Sequence, residues 1–292
     1  MTGRVVVVGS LHYDIMVETP ARPRRGETVT GTRWFPKCGG KGGNQAVAAA
    51  RHGADTAFIG AVGTDGFGEA LLANLDRAGV DRRHVRRLAT GSGMSVALLE
   101  PDGDYGAVIV PGANRQLAPE ALDEAAPLLR AADVLMLQNE LPEPVSLQAA
   151  RLAREGQARI LLNAAPARPL DPGWSGLIDI LLVNALEAEA LGGKPVTSRA
   201  TAADAARRLL DHAQMAIVTA GGEGVALARR DGTALQLPAH HVAVHSTHGA
   251  GDAFAGALAA ALAMGEGLET ALSRANVAAA RLVATPEDER AP

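Results

Sequence analysis

The sequence predicts an α/β protein, with a mostly parallel central sheet covered by helices on both faces and a small separate β-sheet beside it. Two observations carry this expectation. From about residue 119 onward, short apolar runs of strand length alternate with helix-length segments of mixed polarity, the pattern of βαβ units. Before that point, two pairs of segments near residues 12–36 and 94–111 alternate polar with apolar residues. Half-exposed strands read this way, and they do not suit a sheet buried on both faces. No internal repeat or low-complexity linker divides the 292 residues, so the chain reads as one domain over residues 1–292, the two strand pairs forming its lid.

Residues 4–9, RVVVVG, read as a fully buried strand rather than as the start of a secretory signal. Residues 12–17 alternate, residues 20–25 are a Pro/Arg turn, and residues 27–35 alternate again. The glycine-rich stretch 38–44 reads as a loop feeding a helix over 45–52. A strand over 57–62 precedes a helix over 66–78 that ends at Gly79. Residues 95–99 and 107–110 make a hairpin about 101–104, where Asp-Gly suits a tight reversal. Then come a helix over 119–129, a strand over 134–137, a helix over 144–154 and strands over 160–162 and 178–183. Helices over 186–191 and 202–212 flank a strand over 216–219 on its N-terminal side, and 225–228 with 234–237 form an antiparallel edge. Helices over 251–264 and 268–283 close the chain.

Hydrophobic residues make up 47% of the sequence, enough for a sizeable core. The formal charge of −4 argues against nucleic acid or an anionic membrane as the main partner. No apolar run approaches the roughly 18 residues of a membrane span. Cys38 is the single cysteine, so an internal disulfide is impossible and a cytoplasmic setting is expected.

Ligands of open α/β sheets bind at the carboxyl ends of the strands, where several polar residues and glycine turns of this chain fall. Gly249-Ala250-Gly251-Asp252 opens an Ala/Leu helix, and small residues there let main-chain N–H groups approach an anion. A capped helix after a glycine turn would use the same residues. Gly39-Gly40-Lys41-Gly42-Gly43-Asn44 lacks the glycine spacing and the Ser/Thr of a P-loop, and suits either a helix entry or a small hydroxylated ligand. Asp14 stands mid-strand, solvated or aimed into a cleft. Glu140 follows a strand. Asn184 and Glu187 set an amide and a carboxylate on one face at the end of another. The turn Thr219 to Gly224, containing Gly221, Gly222 and Glu223, admits a planar ring or serves as a hairpin turn.

With these motifs, and with Pro111-Gly112-Ala113-Asn114 and Asn163-Ala164-Ala165-Pro166, the sequence resembles the ribokinase-like (PfkB) family of carbohydrate kinases over nearly its whole length. The resemblance implies a three-layer ribokinase-like fold and an ATP-dependent transfer of the γ-phosphate to a primary hydroxyl of a small sugar. Ribose, giving ribose 5-phosphate, is the leading acceptor. A nucleoside such as adenosine or pseudouridine, or fructose or 2-keto-3-deoxygluconate, is the alternative, and a non-catalytic sugar- or nucleotide-sensing protein the remaining class. Asp252 would be the catalytic base, with Gly249, Ala250 and Gly251 forming the anion hole. His12, Asp14, Gly40, Lys41, Gly42, Gly43, Asn44 and Glu140 would bind the sugar beside Asp252. Asn184, Thr219, Gly221, Gly222, Glu223, Gly224, Gly251 and Asn276 would line the nucleotide site. Asn184 and Glu187 would hold Mg²⁺, largely through water. Lids of the family pair between subunits, so a homodimer is expected. The sequence departs from the family where its members carry a monovalent-cation site. Ser246 and His248 replace the usual residues before the base, and Pro286 to Glu289 replace a Gly-Ala loop, which counts against potassium activation. His12 replaces an Asn, which bears on the choice of sugar, and Ala185 an acid.

Overall fold

The computed structural model describes residues 3–101, 105–286 and 290. The chain runs β1 (Arg4–Val8), β2 (His12–Glu18), β3 (Arg33–Gly39), α1 (Lys41–Arg51), β4 (Asp55–Gly63), α2 (Gly66–Arg77), β5 (Asp81–Leu88), β6 (Met94–Leu99) and β7 (Tyr105–Val110). After two short 3₁₀ turns it continues through α3 (Ala126–Arg130), β8 (Val134–Gln138), α4 (Glu143–Glu155), β9 (Arg159–Asn163), β10 (Ile180–Asn184), α5 (Ala185–Gly192), α6 (Arg199–Leu209) and β11 (Met215–Thr219). The antiparallel strands β12 (Val225–Arg229) and β13 (Ala234–Leu237) and the helices α7 (Ala250–Ala263) and α8 (Leu268–Val283) complete it.

Nine strands form the large sheet in the order β13-β12-β11-β10-β9-β8-β1-β4-β5. Its strands pair in parallel from β11 to β5, and only β12 and β13 run antiparallel. Val5 to Val8 of β1, at the centre, are fully buried, each worth about 1.5–3 kcal/mol of burial. The strand order reverses beside β1, so the topological switch point lies between β1 and β8, where the next segments, leading to β2 and to α4, diverge. One apolar layer fills the space between the sheet and α3, α4, α5 and α6, the other that between the sheet and α1, α2, α7 and α8. α7 is buried at every position from Asp252 to Leu262, which explains why its sequence is apolar all round. It packs on α1 so closely that a side chain on Gly256 would meet Ala48 Cβ at 2.4 Å and Gln45 O at 2.7 Å.

The lid is a second sheet of order β3-β2-β6-β7, in which β2 and β6 pair in parallel. It is held at its root by Asn114, whose amide donates to Leu11 O at 2.8 Å and accepts from Leu11 N at 3.0 Å. Tyr13 stacks on Phe67 of α2 with ring centroids 4.5 Å apart.

Four expectations need correction. The strand expected over 27–35 is β3, at Arg33–Gly39, so the first lid pair reaches Gly39. The glycine stretch expected to be a loop is largely helix: α1 begins at Lys41 with Gly42, Gly43 and Asn44 in its first turn. Both glycines are buried, and a Cβ on Gly42 would lie 2.6 Å from Gly9 Cα, so packing against the end of β1 overrides poor helix propensity. The helix expected over 119–129 is split into a 3₁₀ turn at Pro119–Leu122 and the short α3. Strand β5, read as no element, carries four arginines in eight residues and pairs at the edge of the sheet, where charged side chains face solvent. The reversal at 101–104 and the stretch 286–289 fall partly outside the described residues.

Candidate active site

Asp252 is the third residue of α7, and the backbone there explains its surroundings. Gly249 caps the helix in the left-handed region, φ 80°, which glycine adopts without strain. The Ala250 N–H bonds to Thr247 O at 3.2 Å, and the Ala253 N–H to Gly249 O at 2.9 Å. That leaves Gly251 and Asp252 as the first-turn N–H groups without an acceptor inside the helix. No heavy atom would lie within 4 Å of a Cβ on Gly251, so the space above it is open.

Asp252 is buried, 8% exposed as a residue. Asn44 Nδ2 donates to its Oδ2 at 3.0 Å, and Gln45 Nε2 to its Oδ1 at 2.9 Å. Burial pushes its pKa up, opposed by the Lys41 ammonium and by the two amide donors and reinforced by Glu140. The Gln45 amide is itself oriented, because its Oε1 accepts from Gln138 Nε2 of β8 at 2.7 Å. Gln45 and Gln138 are fully buried and carry no local motif that marks them, so they were missed among the candidates.

Glu140 accepts the Lys41 N–H at 2.9 Å and the Ser10 hydroxyl, which ties the end of β8 to the opening of α1. An acid at a helix N-terminus is stabilised by the dipole, which accounts for its place beside Gly40 and Lys41. Asp14 is buried on β2, where it accepts from the Ser95 hydroxyl of β6 and packs on Gly39. It is therefore not a solvated strand charge. His12 is buried beside Gly93 on the same face of β2.

Asn184 and Glu187 make a reciprocal cap at the start of α5: Asn184 Oδ1 accepts the Glu187 N–H and Glu187 Oε2 the Asn184 N–H, both at 2.9 Å. Burial raises the pKa of Glu187, with the Asn184 N–H and Lys41 opposing and Asp252 reinforcing. The end of β10, the start of α7 and Lys41 thus share one electrostatic neighbourhood. Thr219 ends β11, and the 3₁₀ turn Gly221–Glu223 with Gly224 leads into β12. That turn is the reversal of an antiparallel pair, and the faces of Gly221 and Gly222 are open. Asn276 of α8 donates to Pro238 O at 2.7 Å beside it.

A cavity of about 820 Å³ reaches Asp252 between the lid strand β3, α1, α2 and α8. Of the residues singled out from sequence, it is lined by Asn44, His248, Gly249 and Asp252, while the Asp14, Glu140 and Asn184 groups lie outside it. Ser246 and His248 meet Arg290, which hydrogen-bonds to the carbonyl of each.

Residues 2–290 match the model of the pfkB family of carbohydrate kinases. The chain belongs to that family. It is therefore an enzyme fold that phosphorylates sugars, and relatives agree across nearly its full length. Ribokinase of Mus musculus is 38% identical over 284 residues, which cover 94% of this chain and 87% of that protein. Deoxyribokinase of Salmonella typhi is 33% identical, covering 94% and 91%. The structure of Arabidopsis thaliana ribokinase complexed with ribose and ATP superposes with a TM-score of 0.90 at 30% identity, over 98% of this chain and 94% of that one. The three-layer ribokinase-like fold expected from sequence is the fold observed.

Proposed function

We propose that this kinase transfers the γ-phosphate of ATP to the primary hydroxyl of ribose, with Asp252 as general base. The observation that carries the reading is the hold on that carboxylate: one amide donor on each oxygen, at the opening of a helix whose next free N–H groups face open space. Asp252 takes the hydroxyl proton as the sugar oxygen attacks, and its raised pKa suits a base. The free main-chain N–H groups at Gly251 and Asp252 stabilise the charge that develops on the transferring phosphoryl group. Asp14 and His12 under the lid, with Glu140 and the Lys41 end of α1, bind the sugar hydroxyls, and lid closure excludes water. The turn from Thr219 to Gly224 and Asn276 receives the adenosine moiety.

Mg²⁺ fits the donor set at the end of β10, because Glu187 retains Oε1 and Asn184 its remaining lone pairs after their mutual cap. When bound it supplies charge neutralisation to the phosphates. The assembly we infer is a cytoplasmic homodimer through the lid. Trp34 and Val108, on the two edge strands and on one face of the lid sheet, are 67% and 70% exposed, apolar surface that a second lid would cover.

Sugar-dependent ADP release tests the reading, across ribose, deoxyribose, fructose and adenosine. Ribose should give the highest kcat/KM, and Asp252→Asn should lower kcat by about 10²–10⁴. Equal turnover in the variant and the wild type would end the assignment of the base. The similarity to deoxyribokinase makes deoxyribose the runner-up acceptor.

A further inference from the structure

The turn that precedes Asp252 is tied to the end of α8 by a single guanidinium. Arg290 Nη2 donates to Ser246 O at 2.8 Å, Nη1 to His248 O at 2.9 Å and Nε to Thr285 O at 3.0 Å. The three acceptors are main-chain carbonyls of two different segments, and a further bond, from the His245 N–H to Val283 O at 2.9 Å, joins the same segments. Thr247 lies between the two bonded carbonyls of the turn, and its own carbonyl accepts the Ala250 N–H. The guanidinium therefore holds the peptide unit directly before the left-handed Gly249 that opens α7.

Convergent main-chain carbonyls are the donor set that a monovalent cation would need here, and this chain does not fit one. Ser246 brings no negative charge where the family resemblance calls for an acid, and the carbonyls of Ser246, His248 and Thr285 are already bonded to a cation that belongs to the chain. We propose that Arg290 is a built-in substitute for a bound monovalent cation, a positioning residue that sets the Thr247–Gly251 turn, so that the enzyme works without added potassium. The planar fork suits the task, because guanidinium presents several N–H donors in fixed directions, remains charged at any working pH and is more weakly hydrated than an ammonium. Holding the carbonyls of the turn toward α8 keeps its N–H groups pointed at the phosphoryl position, so the effect falls on turnover rather than on sugar binding.

The inference rests on the reading of the Gly249–Asp252 turn as the phosphoryl site, and the two separate experimentally. Asp252→Asn tests the site. For the tether, turnover of wild type, Arg290→Ala and Arg290→Lys is measured in buffers with tetramethylammonium, potassium or low guanidinium chloride as the added cation, with thermal melts alongside. Wild type should turn over equally with and without potassium, and its melting temperature should not respond to potassium. Arg290→Ala should lose about tenfold or more in kcat, the scale of one charge-assisted hydrogen bond, with KM for the sugar unchanged, and should recover in part with guanidinium or potassium. Arg290→Lys, which keeps the charge and loses the fork, should fall between. A wild type that needs potassium would overturn the proposal, as would an Arg290→Ala enzyme whose loss no cation repairs, since that marks a merely structural residue. If Asp252→Asn is inactive while Arg290→Ala is fully active, the tether fails and the site stands.

Discussion

Gly256→Ala is the perturbation that tests the site through its packing rather than its chemistry. Gly256 lies one turn beyond Asp252 on the face of α7 that meets α1, and an alanine Cβ there would stand 2.4 Å from Ala48 Cβ, 2.7 Å from Gln45 O and 2.8 Å from Ala49 N. The first separation is about 1 Å short of the roughly 3.5 Å at which carbon atoms touch, and the other two involve backbone that cannot rotate away. Relief requires α7 to move off α1 by something near that ångström. The same movement carries Asp252 away from Asn44 and Gln45, whose bonds of 3.0 and 2.9 Å would stretch past the limit of useful hydrogen bonds. Overpacking of this kind costs about 1–3 kcal/mol of stability, and misplacing a catalytic group by 1 Å costs about 10²-fold in rate. Steady-state kinetics and thermal melts on the purified variant should show both losses. Adding Ala48→Gly should restore part of each, because it removes the side-chain clash and leaves the two backbone contacts. A Gly256→Ala enzyme with undiminished kcat would refute the view that the α1–α7 contact positions the base.

Gln45→Leu removes one donor from Asp252, so its carboxylate pKa, already raised by burial, should rise further; kcat should fall about tenfold, and the acid limb of the kcat–pH profile should move to higher pH. The raised pKa values of Asp252 and Glu187 also make a stability statement. A folded state that favours the protonated forms is stabilised at low pH, and that contribution is lost as pH rises through the folded pKa values. Asp252→Asn should therefore gain stability relative to wild type as the melt is moved from acid to neutral pH, and a difference that stays flat with pH would count against the burial of a charge there. Asp14→Asn should raise KM for the sugar by about ten- to a hundredfold while changing KM for ATP little, read from initial rates with each substrate varied. If the proposed lid-to-lid dimer forms, Trp34→Glu combined with Val108→Lys should leave a monomer in sedimentation velocity, the assembly persisting if the lid is not the contact.

Most of the large sheet was legible because parallel strands buried on both faces announce themselves as short runs of Val, Ile and Leu, as in Val5 to Val8 or Ile180 to Val183. Where the reading failed, a tertiary contact had overridden a local preference. Four glycines among residues 39–43 look like a loop, yet Gly42 and Gly43 are helical because only a residue without a side chain lets α1 lie against Gly9 and Ser10. Strand β5 is rich in arginine because it is an edge, and nothing in DRRHVRRL reveals that β4 lies beside it. The acids and amides of the site were visible as polar residues at strand ends, but their partners were not. Gln45 and Gln138 are 93 positions apart and Asn44 and Asp252 208, separations at which no spacing rule operates.

The glycines and the proposed base therefore belong to one device. Asp252 could be held by two amides only if α7 approached α1 within side-chain-free distance, which needs Gly256 and the alanines of both helices. The approach to it is kept open at Gly251, where nothing would lie within 4 Å of a Cβ, and Gly249 supplies the left-handed turn. Alanine richness in α7 is on this account what sets the depth of the carboxylate. Larger apolar residues would fill the same layer and keep the helix buried, but they would lift the carboxylate away from Asn44 and Gln45 and remove two of the contacts that hold its pKa down. Close packing here does for a buried charge what a hydrogen-bond donor cannot do alone: it fixes the distance at which the donor works.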